Sequence, residues 1–150
     1  MPDTKPPILV DTAELARMLG SPTCVVVDCR YNLMKPEAGR AAWAEAHIPG
    51  AFHADLDRDL AGPLSDSSGR HPLPNEQAFM EVLGRWSVHP ESSVVVYDDA
   101  GGAIAARLWW LLKWAGHRDA RILDGGWQGW INSGKEASNE EPALTDGVYP

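Results

Sequence analysis

Two runs rich in β-branched residues, Val25 to Asp28 and Ser93 to Tyr97, constrain the fold more than any other feature, because segments of helical period stand between and after them. Short runs of this kind alternating with helical stretches are the pattern of an α/β domain built on a mostly parallel sheet. Three weaker strands complete the set: Ile8 to Val10, a brief piece around Ala51 and Phe52, and Arg121 to Leu123. Helices are predicted over Thr12 to Leu19, with Asp11 or Thr12 as N-cap, and over Glu37 to Ala46, Asn75 to Trp86, Ala103 to Ala115 and Trp127 to Ser133. In the fourth of these, Ile104, Leu108, Leu111, Leu112 and Ala115 recur at helical spacing, and Gly116 supplies a stop. The expected architecture has three layers, a mostly parallel five-stranded sheet with helices on both faces.

At 150 residues the chain has the size of one domain, placed here at residues 1–134. The segment from residue 135 to 150 is polar, acidic and proline-bearing, and reads as the start of a linker to a second domain that is absent. Between Ala54 and Pro74 no period is sustained and Asp, Gly, Ser and Pro abound, so a long surface loop is expected, a candidate wall of a site. A formal charge of −8 argues against nucleic acid as a partner. No window approaches the roughly 18 apolar residues of a membrane span, and the first residues lack the features of a signal peptide. A cytoplasmic protein with no membrane partner is therefore expected.

Cys24 and Cys29 are the only cysteines. Five residues apart along one predicted strand, they should face opposite sides of the sheet, which makes a mutual disulfide unfavourable. Cys24 reads as a small buried hydrophobe. Cys29 follows Asp28 at a strand's carboxyl end, where α/β sheets place their sites, yet a structural role suits it better.

The segment VVVYDDAGGAIAARLWW combines a buried strand, a glycine turn and a helix start. Such a turn aims several backbone N–H groups and the positive end of a helix at one point above the sheet. A cysteine at the head of the turn would have its thiolate stabilised there and could hold a transferred sulfur as a persulfide. Asp99 is assigned to that position. Its carboxylate is expected to accept N–H bonds from Gly101 and Gly102, as an N-cap worth about 0.5 to 2 kcal/mol. The same charge would repel an anionic ligand by about 4 kcal/mol per unit charge at a separation of about 4 Å, for an effective dielectric of about 20.

At this loop the sequence resembles the rhodanese family, whose active domains carry Cys-x-x-Gly-x-Thr or Ser-Ala after the equivalent strand; Asp99, Gly102 and Ala105 stand against the Cys, Gly and Ala. Three further motifs support the resemblance. VDCR (Val27 to Arg30) resembles the family's Asp-x-Arg signature, HIPGA (His47 to Ala51) matches its mid-domain motif, and LDGGW (Leu123 to Trp127) resembles its closing Leu-x-Gly-Gly-Trp or Phe. The long loop ending in HPLP and the RLWW helix are similar to the first domain of two-domain thiosulfate and 3-mercaptopyruvate sulfurtransferases, in which only the second domain has the reactive cysteine. What this resemblance implies is a rhodanese-like, non-catalytic domain whose partner is the catalytic C-terminal domain of the same protein. Residues 99–104 (Asp99, Ala100, Gly101, Gly102, Ala103 and Ile104) would be a vestigial active-site loop that binds small sulfur-containing anions at most weakly. It also implies that Asp57 and His71, on the long loop, contribute to the cleft facing the second domain, against the simpler reading of both as exposed loop residues. No cofactor or metal is expected.

Other residues have plainer explanations. His47 is expected to bond backbone and lock the turn before Pro49 and Gly50, and Arg30 to pair with an acidic neighbour. Trp110 and Trp114 share one helical face, for packing or for an interface with the absent domain. Gly101, Gly102, Gly125 and Gly126 read as backbone requirements of tight turns. Two other functions compete: a stand-alone rhodanese-like binding or regulatory module, and an aspartate-based phosphotransferase using Asp98 and Asp99. The last lacks a DxD spacing and any magnesium ligand set.

Overall fold

The structure is a computed structural model that describes residues 8–32, 34–35, 37–56, 59–61, 73–145 and 147–149. Five strands, β1 (Leu9–Val10), β2 (Cys24–Asp28), β3 (Phe52–His53), β4 (Ser93–Tyr97) and β5 (Ala120–Leu123), form one sheet in the order β1-β5-β4-β2-β3. Every pairing is parallel. The helices are α1 (Thr12–Met18), α2 (Ala38–Glu45), α3 (Glu76–Arg85), α4 (Ala103–Trp114) and α5 (Gly126–Asn132). Each predicted element is present, with ends moved by a residue or so, as fraying and hydrogen-bond criteria make usual.

Side-chain alternation along the strands builds the two cores. Val25, Val27, Val94 and Val96 point to one face and pack with Phe79, Val82 and Leu83 of α3 and Leu108, Leu111 and Leu112 of α4. Val26 and Val95 point to the other face, toward Leu15 of α1 and Trp130 of α5. A sheet covered on both sides needs continuously apolar strands, which is why CVVVD and SVVVY read as runs instead of alternating. Each fully buried side chain of this size contributes roughly 1.5–3 kcal/mol. The two cysteines divide as expected, Cys29 into the first core and Cys24 against the second, and both are free thiols.

Local signals set the helix ends. Asp11 caps α1 by accepting from the Glu14 N–H at 2.7 Å, and Asn75 caps α3 by accepting from Ala78 at 3.2 Å. After α4, Gly116 adopts φ +88°, and the N–H of His117 closes back on the Leu112 carbonyl at 2.8 Å.

Both less regular segments pack more closely than their composition suggests. The long loop after β3 is not wholly superficial: Ala54, Leu56, Leu60 and Ala61 are buried, because this stretch closes the first core beneath α3 and α4. The segment after residue 134 also packs on the domain. His47 and Ser138 form an antiparallel bridge, Thr145 donates its N–H to the Arg85 carbonyl, and the Tyr149 N–H reaches Met80 at 3.0 Å. Tyr149 is buried, its hydroxyl 2.9 Å from His117 Nδ1. Contact along α3 is close enough that a Cβ on Gly84 would overlap the Gly147 carbonyl. Most of these bonds use backbone groups, which a polar composition does not reveal.

Candidate functional site

Neighbouring strands β2 and β4 continue in opposite directions across the sheet, β2 through α2 to β3 and β4 through α4 to β5. Their carboxyl ends therefore bound a topological switch point, where open α/β sheets carry their sites. Asp28 pairs in register with Tyr97, and Asp98 follows immediately.

The turn after β4 is an anion cradle, and it is occupied by the chain's own side chain. Asp98, 1% exposed, accepts four backbone N–H bonds: from Ala100 and Gly102 at 2.9 Å each on one carboxylate oxygen, and from Ile104 at 2.8 Å and Ala105 at 2.7 Å on the other. Positive φ values at Gly101 (+72°) and Gly102 (+94°) turn these N–H groups inward. The sequence expectation gave this role to Asp99, accepting from Gly101 and Gly102. That assignment is corrected: Asp99 is exposed, and the contact it makes across the turn is through its carbonyl, to Gln128 Nε2 at 3.0 Å. The reason is geometric. β4 ends at Tyr97, so the first side chain able to fold back over the turn belongs to Asp98, and the next points to solvent. The helix itself has Gly102 as N-cap without a side-chain bond, and Asp98 supplies the missing acceptor from one turn upstream.

Of the other residues assigned to the loop, Ala100, Gly101 and Ala103 are exposed, and Gly102 and Ile104 are half-buried. Asp57 and His71 lie outside the described residues. The closing LDGGW motif buttresses the cradle from the side. Trp127 donates its N–H to the Asp98 carbonyl at 2.9 Å, and a Cβ on Gly126 (φ +56°) would stand 2.5 Å from that same oxygen.

Beside the cradle lies a second buried charge centre. Arg30 grips Asp28 through Nε at 2.9 Å and a terminal nitrogen at 2.7 Å, and Asp28 also accepts from the Arg30 N–H at 2.8 Å and the Tyr97 hydroxyl at 2.9 Å. The guanidinium lies over the Trp127 ring at 4.3 Å and donates to the Ala46 carbonyl. Tyr97 accepts in turn from the Ile48 N–H at 3.1 Å, and burial, followed by the Asp28 charge, pushes its phenol well above the usual range. Three of the motifs read from the sequence thus meet at one point, tied by an ion pair that is 4% and 0% exposed. His47 faces backbone groups, as expected, and reaches beyond its own turn. Its Nδ1 faces the Trp43 carbonyl at 2.7 Å and its Nε2 the Glu140 carbonyl at 2.8 Å, so it fastens the C-terminal segment to α2.

Chemically, the two buried carboxylates of the centre, Asp28 and Asp98, are both engaged. Both Asp98 oxygens accept N–H bonds, so this carboxylate is not free for acyl-phosphate chemistry, and the N–H groups of Ala100, Gly102, Ile104 and Ala105 are already filled. Cys29 is fully buried, and desolvation, then the charges of Asp28 and Asp98, drives its thiol well above the ordinary value. Cys24 is pushed up to about 11, first by burial and then by Asp119. Neither presents a thiolate near neutral pH. Among the described residues no cluster of His, Cys, Asp or Glu could hold a metal, and no helix is long and apolar enough to cross a membrane.

The rhodanese-like domain family matches residues 11–133, from α1 through α5, so the chain belongs to that family. Among its relatives, a probable 3-mercaptopyruvate sulfurtransferase from Pseudomonas aeruginosa is 44% identical over 143 residues, covering 94% of this chain and 50% of that protein. A 3-mercaptopyruvate sulfurtransferase from Leishmania major superposes with a TM-score of 0.84 at 33% identity, over 95% of this chain and 39% of that one. A 3-mercaptopyruvate sulfotransferase from Escherichia coli gives a TM-score of 0.80 at 26% identity, over 95% and 53%. The chain spans about half the length of the curated relatives it matches.

Proposed function

We propose that this chain is the amino-terminal, non-catalytic domain of a thiosulfate or 3-mercaptopyruvate sulfurtransferase. A cysteine on a second domain would take the sulfane sulfur as a persulfide and pass it to a thiophilic acceptor such as cyanide or a thiol. The observation that carries this reading is the filled cradle. In a sulfur-carrying domain those N–H groups stabilise a thiolate and then a persulfide; here a carboxylate, which cannot hold sulfur in that way, takes all four bonds. The domain then acts as a wall and support for the partner's active site. Trp110 and Trp114, stacked at 6.4 Å and 47% and 39% exposed, offer an apolar surface suited to such a partner. A cytoplasmic setting agrees with two unpaired cysteines.

The test has two arms. The purified chain, supplied with thiosulfate and cyanide or with 3-mercaptopyruvate and a thiol, is expected to produce no thiocyanate and no persulfide. Reading the coding sequence past residue 150 is expected to reveal a second domain with Cys-x-x-Gly after the strand equivalent to β4. Sulfur transfer by the chain alone, with added mass on Cys29, would overturn the reading. A reading frame without that second domain would favour a stand-alone binding module instead.

A further inference from the structure

Away from the Asp98 cradle, and sharing no residue with it, α2, the end of β3, the end of α3 and the C-terminal segment enclose a cleft of about 190 Å³. That is small beside the roughly 300–1,000 Å³ of sites for drug-sized ligands, and suits a single small metabolite. Its floor is aromatic, formed by Trp43, Phe52 and Trp86, and both indoles are almost fully buried. The rim carries charge of both signs. Arg85 stands 3.4 Å from Asp59, and those two largely offset each other. Arg40, with its guanidinium 5.1 Å from the Trp43 ring, and Glu141, on the C-terminal segment, have no ionic partner among the described residues.

His53 completes the wall and is short of a donor. It is 7% exposed, and its Nε2 lies 3.1 Å from the Arg30 carbonyl; a carbonyl only accepts, so Nε2 bears the proton and donates. Burial lowers the pKa of the ring and keeps it neutral, which leaves a lone pair on Nδ1. That nitrogen is buried with no hydrogen-bond partner among the described residues. Native structures seldom leave such a group unmatched, and a donor brought into the cleft would relieve the cost.

A simple anion would meet Asp59 and Glu141 as well as the arginines, and a simple amine would meet Arg40 and Arg85. A molecule with both ends charged satisfies the rim on each side. We propose that this cleft binds a free α-amino acid with an apolar side chain, its carboxylate toward Arg40, its ammonium toward Glu141 and His53, and its side chain toward the aromatic lining of Trp43, Phe52 and Trp86. The proposal is independent of the sulfurtransferase reading.

Titration of the isotope-labelled chain with L-leucine and L-phenylalanine, followed by NMR at the indole N–H groups of Trp43 and Trp86, tests it. Both resonances are expected to shift saturably. Hydrocinnamate, which lacks the amine, and phenethylamine, which lacks the carboxylate, should each bind about tenfold more weakly, the scale of one lost charge-assisted hydrogen bond. Arg40→Ala should weaken L-phenylalanine by a similar factor, and Glu141→Gln should abolish its advantage over hydrocinnamate. Both side chains are exposed, so these variants keep the fold, as an unchanged thermal melt would verify. Absence of a saturable shift with either amino acid, binding that survives Arg40→Ala unaltered, or equal affinity for L-phenylalanine and hydrocinnamate would each overturn the proposal.

Discussion

Asp28 and Asp98 sit at the carboxyl ends of adjacent parallel strands, and both are buried, yet the protein neutralises them by different means. Asp28 is answered by a side-chain cation, Arg30, and by the Tyr97 hydroxyl. Asp98 is answered by peptide N–H groups alone. An ion pair depends on two residues at once, so losing one strands the other in the core. A backbone cradle survives a change of its occupant, because the donors belong to the turn and not to any side chain. The first arrangement suits a fixed joint, and the second is one in which a thiolate and a carboxylate can replace each other while the turn keeps its shape.

The contrast makes ordered predictions. Arg30→Ala should cost the most, about 3–5 kcal/mol in urea unfolding, because the Asp28 charge is left uncompensated at 0% exposure. Asp98→Ala should cost less, about 2–3 kcal/mol, by removing the acceptor at the start of α4 and leaving N–H groups unpaired. Asp99→Ala should leave the urea midpoint within the scatter of ordinary surface changes; a loss as large as that of Asp98→Ala would break the distinction between the two carboxylates. Between these extremes falls Gly126→Ala, at about 1–2 kcal/mol from its left-handed backbone, with the close approach to the Asp98 carbonyl adding to the strain. Asp98→Cys sharpens the idea of an exchangeable occupant. The thiolate absorbance of that variant should titrate below about 7.5, whereas Asp99→Cys should titrate near the ordinary value of about 8.5. Equal acidity of the two introduced thiols would show that the cradle does not stabilise an anion.

The smallest effect expected is on the pH dependence of stability. Burial lowers the folded-state pKa of both His53, which donates to the Arg30 carbonyl beside the ion pair, and His117. Folding therefore favours their neutral forms, and the unfolded chain binds more protons once pH falls below its ordinary histidine value of about 6.5. Stability should hold above that value and decline as pH drops from it toward the lowered folded pKa values. A His53→Gln variant, measured by urea midpoints across that window, should show a shallower decline.

Much of this was legible in the chain itself. The valine runs and the period of residues 103–115 identify the central strands and α4, since period depends on which faces are covered and leaves its mark residue by residue. The glycine-rich turn was legible as an anion cradle. Its occupant was not: Asp98 and Asp99 are chemically the same, and only the position where β4 ends decides which carboxylate turns inward. The order of the pair relative to the strand's last hydrogen bond would have been the signal. The packing of Thr145, Gly147 and Tyr149 on α3 was equally hidden, because it rests on backbone bonds and on the missing side chain of Gly84.

What the amino-acid order alone determined is the sheet, its covering helices, the family and the presence of an N–H cradle, all consequences of local period and turn chemistry. The tertiary structure alone decided which acid fills that cradle, which groups balance Asp28, and what the His47 ring holds. Those outcomes depend on distances between segments far apart along the chain, set by how the layers pack and not by any one stretch of residues.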